Sequence, residues 1–271
     1  MKNYVAYKIL CSAGEERDIL IAQLAAIGFE GFEEDDTSVL ASAKVGEVEE
    51  SEVETWLDEQ TLGYEKAITP DQNWNALWES NFSPVVVNDF ACIRAHFHPK
   101  AEGVLYDIEI TPKMSFGTGH HATTRQMVEL MKDLPISGKR VFDFGTGTGV
   151  LAILAAKMGA LEVEAIDHDE WSITNAAENI MVNSIGYKIK LRQADKVDAV
   201  KPSDIVLANI NKHILLRFMP DLKEILKPDG YLVLSGLLVD DEQDIEQAAR
   251  TTGLTKVKRS ELNNWIALVF R

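Results

Sequence analysis

Apolar residues in the first seventy positions switch between two spacings. Residues 4–11 alternate, with Val5, Tyr7 and Ile9 on one face, as a half-buried strand does. Leu20, Leu24 and Ile27 then recur at helical spacing, with Ser12 as a start signal and Gly28 as a stop. The segment Phe29–Glu34 and the alternating Val39, Ala41, Ala43 and Val45 predict two strands around a turn at Asp35-Asp36-Thr37. A second helix carries Val53, Trp56 and Leu57 on one side, and residues 64–68 supply a strand to close the sheet. This strand-helix-strand-strand-helix-strand order, in about 65 residues, predicts a small ferredoxin-like α+β domain over residues 1–65.

Between Pro70 and Pro84 the chain holds Trp74, Trp78 and Phe82 at fourfold spacing, which predicts a linker helix within residues 66–84 whose aromatic stripe packs between domains. Residues 85–271 form the second predicted domain. It opens with strand-like stretches at 85–97 and 104–110, where alternation would put His96 and His98 on one strand face, and a helix over about 124–133 follows. Thr123 or Thr124 is suited to capping that helix.

Further on, Val141-Phe142-Asp143-Phe144 leads into Gly145-Thr146-Gly147-Thr148-Gly149 and an Ala/Leu/Ile helix running to Lys157. Strand, glycine loop and helix together suit an adenosine-type ligand. The glycines allow a sharp turn and a close backbone approach, and the helix start offers free N–H groups. Position 150, where a dinucleotide fingerprint needs its third glycine, is Val, which argues against NAD. The next strand, Glu162–Asp167, ends on a carboxylate placed to accept both ribose hydroxyls. Strand patterns at 189–193, 204–209, 230–236 and 265–270 complete a doubly wound α/β sheet. Asn209 ends its strand at the reactive edge of that sheet, where its amide carbonyl could accept from a substrate amine or the residue could simply cap the next helix.

The 271 residues include 27 Lys+Arg against 43 Asp+Glu, for a net charge of −16, which argues against direct nucleic-acid binding and for a cationic partner. Residues 30–59 alone carry twelve acids against the single basic Lys44, either a solvated face or a landing surface for a basic protein. The two cysteines, Cys11 and Cys92, are far apart and lack metal-ligand spacing, and no metal site is expected from them or from the adjacent His120 and His121. Neither a signal peptide nor a membrane span is evident, so a cytoplasmic protein is expected; the sequence leaves its oligomeric state open, with a monomer the default expectation.

The glycine loop with Asp167 resembles the class I S-adenosylmethionine-dependent methyltransferases. The run Phe116-Gly-Thr-Gly-His-His-Ala-Thr-Thr124 is similar to the signature Phe-Gly-Thr-Gly-x-His-x-Thr-Thr of the PrmA family, the ribosomal protein L11 methyltransferases. The likeness covers residues 70–271. It implies a Rossmann-like methyltransferase domain that binds S-adenosylmethionine through Thr124, Gly145, Gly147, Asp167 and Asn209, with Asn209 also the expected catalytic residue, orienting either the amine or the methionine end of the cofactor. It further implies that the N-terminal domain recruits ribosomal protein L11, whose lysine ε-amines and N-terminal α-amine would be methylated. Another protein, a small molecule or a nucleic acid is the alternative acceptor. His120, His121 and His213 are candidate bases by residue type only. The chain departs from the family at Ala122, where Pro is common, and at Asn211-Lys212-His213, where Leu-Ala-Gly is common.

Overall fold

In the computed structural model, which describes residues 3–69, 82–113 and 116–271, the chain separates into two units, Met1–Asn81 and Phe82–Arg271. The expected linker helix, with Trp74 and Trp78, lies largely outside the described residues.

The N-terminal unit runs β1 (Tyr4–Leu10), α1 (Glu15–Ile27), β2 (Gly31–Glu34), β3 (Ser38–Lys44), α2 (Glu50–Glu59) and β4 (Tyr64–Thr69). Its sheet has the order β2-β3-β1-β4, every neighbouring pair antiparallel, which is the expected ferredoxin-like arrangement. Alternation decides the packing: Val5, Tyr7 and Ile9 are buried against Leu20, Leu24, Val53 and Leu57. Helix α1 starts after Gly14 with no side-chain cap, so Ser12 does not cap it. The loop before it is held instead by Arg17, whose guanidinium donates to the Cys11 carbonyl at 2.5 Å. Gly28, at φ 118°, ends α1 in the left-handed conformation that favours glycine. In the β2–β3 turn Asp35 accepts from the Thr37 and Ser38 N–H groups and both hydroxyls, which holds its carboxyl well below the usual carboxylate range.

The larger unit begins with a three-stranded sheet of β5 (Val85–Val87), β6 (Ala91–Ala95) and β7 (Tyr106–Ile110). The single strand expected over 85–97 is thus two strands, because the chain reverses at Asn88, where φ is +50°. Strand β6 stops at Ala95, so His96 and His98 share a turn rather than a strand face, and the Ala95 N–H donates to His98 Nδ1. Then follow α3 (Ala122–Met131), β8 (Arg140–Phe144), α4 (Val150–Lys157), β9 (Glu162–Asp167), α5 (Glu170–Val182), β10 (Ile189–Gln193), β11 (Ser203–Asn209), α6 (Lys212–Ile225), β12 (Leu226–Leu238), α7 (Glu242–Thr251), β13 (Lys256–Leu262) and β14 (Trp265–Phe270).

These strands form one seven-stranded sheet in the order β10-β9-β8-β11-β12-β14-β13. It is parallel from β10 to β12, with β14 antiparallel to both its neighbours. Helices cover both faces: Met127, Met131 and the apolar length of α4 lie in one core, and Leu215, Leu222 and Ile245 in the other. The strand order reverses between β8 and β11, and open α/β sheets place their ligands at such a point, outside the carboxyl ends of the strands. Among the described residues no helix is long and apolar enough to cross a membrane.

Candidate functional site

A cleft of about 730 Å3 opens at this switch point. Its floor is the loop after β8, where Gly145, Gly147 and Gly149 all have positive φ, between 54° and 80°. The Gly145 and Thr146 N–H groups both donate to the Ile166 carbonyl at 2.9 Å. Asp167, 8% exposed at the end of β9, accepts the Gly147 N–H at 2.9 Å on one oxygen and the Asp169 N–H at 3.1 Å on the other. Each carboxylate oxygen has a second lone pair, so Asp167 can still accept from two hydroxyls.

What a Cβ would meet at two of these glycines is protein. At Gly147 it would lie 2.3 Å from the Phe116 carbonyl oxygen, and at Gly145 2.3 Å from Ile210 Cγ2. The Thr148 N–H donates to the Phe116 carbonyl at 2.9 Å, and the Thr148 hydroxyl donates to the Gly117 carbonyl at 2.8 Å. The two glycine-rich motifs of the sequence are therefore stapled to one another.

Thr124 and Asn209 meet at the centre of the cleft, where Asn209 Nδ2 donates to Thr124 Oγ1 at 3.4 Å. Neither performs the capping role its residue type suggested. Helix α6 begins after Asn211, so Asn209 is not its cap. Helix α3 begins at Ala122 and is capped by His121, whose Nδ1 accepts the Thr123 N–H and pairs with the Thr123 hydroxyl at 2.8 Å. Thr123 and Thr124 are both fully buried. Asn209 Oδ1 is buried without a partner, an acceptor of the kind that a ligand amine satisfies.

The two ends of the cleft differ. Toward β9 and β10 it is lined by Asp167, Asp169 and Asp195. Toward β12 and β14 it is lined by Phe116, His121 and Trp265, with His121 edge-on to Trp265 at 4.6 Å between centroids and to Phe116 at 5.3 Å. Gln126 holds Trp265 by donating from Nε2 to its carbonyl at 2.9 Å. Of the three histidines considered as bases, only His121 lines the cleft. His120 is exposed and its ring pairs with the Ser83 carbonyl, and His213 is exposed on the first turn of α6.

Several residues that shape the site were given no role by the sequence reading. Asp143 is buried beneath the loop, where it accepts the Thr146 hydroxyl at 2.6 Å. Burial pushes its carboxyl up to about 7, the charge of Asp167 adds to that, and the Thr146 hydroxyl opposes it. Along α5 and at its C-cap, Asn175, Asn179 and Asn183 recur every fourth residue and clip the backbone at Glu109 and Thr111; Asn179 also donates to the Thr148 carbonyl at 2.9 Å. Asparagine is a poor helix former, and three on one face was the available clue. Among the described residues no cluster of His, Cys, Asp and Glu could hold a metal ion.

A family model described as ribosomal protein L11 methyltransferase (PrmA) matches residues 12–271. The protein of that name from Porphyromonas gingivalis is 40% identical over 260 residues, covering 93% of this chain and 90% of its own. The one from Chlorobaculum tepidum is 36% identical over 265 residues, covering 92% and 90%. The crystal structure of ribosomal protein L11 methylase from Lactobacillus delbrueckii subsp. bulgaricus aligns with a TM-score of 0.65 at 29% identity, covering 70% of this chain and 98% of that one. The family match takes in both units and every residue of the cleft, and the chain belongs to the ribosomal protein L11 methyltransferase (PrmA) family.

Proposed function

We propose that this chain transfers methyl groups from S-adenosylmethionine to amine nitrogens of ribosomal protein L11, at lysine ε-amines and at the N-terminal α-amine. Family membership supports the reaction and the acceptor protein. The observation that carries the site assignment is the buried, unpartnered Asn209 Oδ1, midway between an acidic end and an aromatic end of one cleft.

The residues present fit the cofactor. Asp167 has lone pairs free for the ribose hydroxyls, the Gly145–Gly147 backbone forms the floor, and Thr124 and Asn209 offer polar atoms at the centre. S-adenosylmethionine supplies a methyl group already activated on a sulfonium, so the protein's contribution is in-line placement, which can lower a barrier by about 7 to 11 kcal/mol. Asn209 orients either the incoming amine or the methionine end of the cofactor.

With the cofactor across β9, β8 and β11, the aromatic end of the cleft is left for the acceptor. There Phe116, His121 and Trp265 flank the aliphatic stem of a lysine and exclude water. A lysine amine, whose ordinary pKa is about 10.4, must shed its proton before it attacks, and desolvation among these rings favours the neutral amine.

The N-terminal unit is assigned the docking of L11. Of its twelve acids between 30 and 59, Glu33, Asp36, Glu49, Glu52, Asp58 and Glu59 are exposed and make no ion pair among the described residues, so their field is available to a basic partner. The reaction is placed in the cytoplasm, with one chain as the working unit and no direct nucleic-acid contact. Mass spectrometry of purified L11 after incubation with this protein and S-adenosylmethionine tests the reading peptide by peptide. Steps of one methyl on lysines or the N-terminal amine are expected. Unmodified L11, alongside demonstrable cofactor binding, would move the assignment to another acceptor.

A further inference from the structure

Asp143 has no task in the transfer described above, yet it sits one residue behind the cleft. It is 1% exposed; one of its oxygens accepts the Thr146 hydroxyl, and Oδ1 has no well-aligned hydrogen bond, although the Ala152 N–H in the first turn of α4 also favours the charged form. Its sheet neighbours are Ala165 on β9 and Leu207 on β11, and α4 packs nearby with the uniformly apolar run Val150–Ala156. The charge it feels is that of Asp167, which in turn touches His168 Nδ1 at 3.3 Å. Burial first, and then the charge of the second carboxylate, favour its neutral form against the opposing pull of the Thr146 hydroxyl and the Ala152 N–H. Thr146, the residue it holds, lines the cleft itself.

Resting on the methyltransferase reading, we propose that Asp143 is a positioning residue that senses the charge of the ligand through the glycine loop and so separates the sulfonium cofactor from its neutral thioether product. With no cation in the cleft the carboxyl keeps its proton. When the sulfonium cofactor binds, the carboxyl ionises and the proton goes to solvent. Once the methyl group has left and the sulfur is neutral, a proton returns from solvent and the hold on the product weakens. The ionised state strengthens the grip of the loop on a cation only, so the preference for cofactor over product rises with pH.

The test is isothermal titration calorimetry of the full chain with S-adenosylmethionine and with S-adenosylhomocysteine at pH 6, 7 and 8, in buffers of different ionisation enthalpy. Both ligands carry the same α-amine, so its titration cancels in the ratio of their affinities. The ratio is expected to shift toward the sulfonium ligand by roughly threefold or more between pH 6 and pH 8. About half a proton is expected to be released per sulfonium ligand bound at pH 7, against almost none for the thioether.

Asp143→Asn should bind both ligands with a ratio that no longer depends on pH. Thr146→Val, which removes the hydroxyl favouring ionisation, should move the rise to higher pH, and His168→Asn should leave it in place. A flat ratio in the unmodified protein, or a rise that survives in Asp143→Asn or vanishes in His168→Asn, overturns the proposal. Failure to bind either ligand at any pH overturns the methyltransferase reading instead, and the proposal with it.

Discussion

Replacing Gly147 by Ala tests whether the two glycine motifs are mechanically joined. The residue has φ +54°, and its Cβ would lie 2.3 Å from the Phe116 carbonyl oxygen and 3.3 Å from the carbonyl carbon, both backbone atoms that cannot swing aside. An alanine in the left-handed region costs about 1 to 2 kcal/mol, and forcing the Phe116 peptide back by about 1 Å adds an overpacking cost of about 1 to 3 kcal/mol. That retreat also strains the Thr148 N–H bond to Phe116 and the Thr148 hydroxyl bond to Gly117, each worth about 1 kcal/mol. The expected loss is about 4 kcal/mol, a large part of the stability of a domain this size. Gly138 supplies the control: its φ is +72°, and nothing lies within 4 Å of its Cβ, so Gly138→Ala should lose only about 1 kcal/mol. Urea unfolding of the two variants separates backbone conformation from close approach. Calorimetry with S-adenosylmethionine should show Gly147→Ala binding at least about tenfold more weakly, a loss of about 1.4 kcal/mol. Equal losses of stability in the two variants would refute the claim that the loops are stapled.

Four further outcomes are expected. Asn209→Ala removes one long hydrogen bond and leaves the fold intact, but should slow methyl transfer by about one hundredfold; retention of the full rate would end its assigned role. Trp265→Ala should raise the KM for L11 with cofactor affinity unchanged while Trp265→Phe preserves both, and an unchanged KM in Trp265→Ala would remove the acceptor wall. Asn179→Ala strands the Thr111 N–H and the Thr148 carbonyl and should cost about 3 kcal/mol in urea unfolding, whereas a loss below about 1 kcal/mol would show that α5 does not clamp the loop. Asp143 has its carboxyl raised from 3.8 to about 7 in the folded chain, so its favourable contribution is complete below pH 3.8 and is lost as pH rises through 7. In cofactor-free protein the stability of Asp143→Asn relative to the unmodified chain should therefore rise by about 2 to 3 kcal/mol between pH 5 and pH 8, and a constant difference would show that the carboxyl is not raised.

Local periodicity made most of the scaffold readable. Strand β9 spans the six residues expected of it, and β11 ends at Asn209 as expected, where the apolar run Ile205–Ala208 of a buried parallel strand closes on a polar residue at the ligand edge. The alternation of Val5, Tyr7 and Ile9 marked the first strand, and the strand-helix-strand-strand-helix-strand order of the six segments carried the ferredoxin-like sheet. Strand β13 was missed because Lys256–Leu262 is a charged edge strand with most of its residues exposed, and such a strand has no apolar face to betray it. His121 as a cap went unseen because histidine is not among the usual capping residues. The staple between Thr148 and Phe116 spans 32 positions and the bond between Asn209 and Thr124 spans 85, distances at which no local pattern carries information.

Those long-range contacts bear on how the two ligands influence one another. A single segment, Phe116–Gln126, meets the glycine loop through Thr148, the centre of the cleft through Thr124, and the aromatic end through His121 and Gln126. Whatever orders the glycine loop therefore also steadies the wall assigned to the acceptor, since the same backbone serves both. Ordering that segment costs conformational entropy once, and the first ligand to bind bears most of that cost. Cofactor and acceptor should then bind with positive cooperativity. Linkage makes that cooperativity reciprocal, so a substitution that loosens the staple, such as Gly147→Ala, should weaken the mutual enhancement as well as the affinity for the cofactor alone.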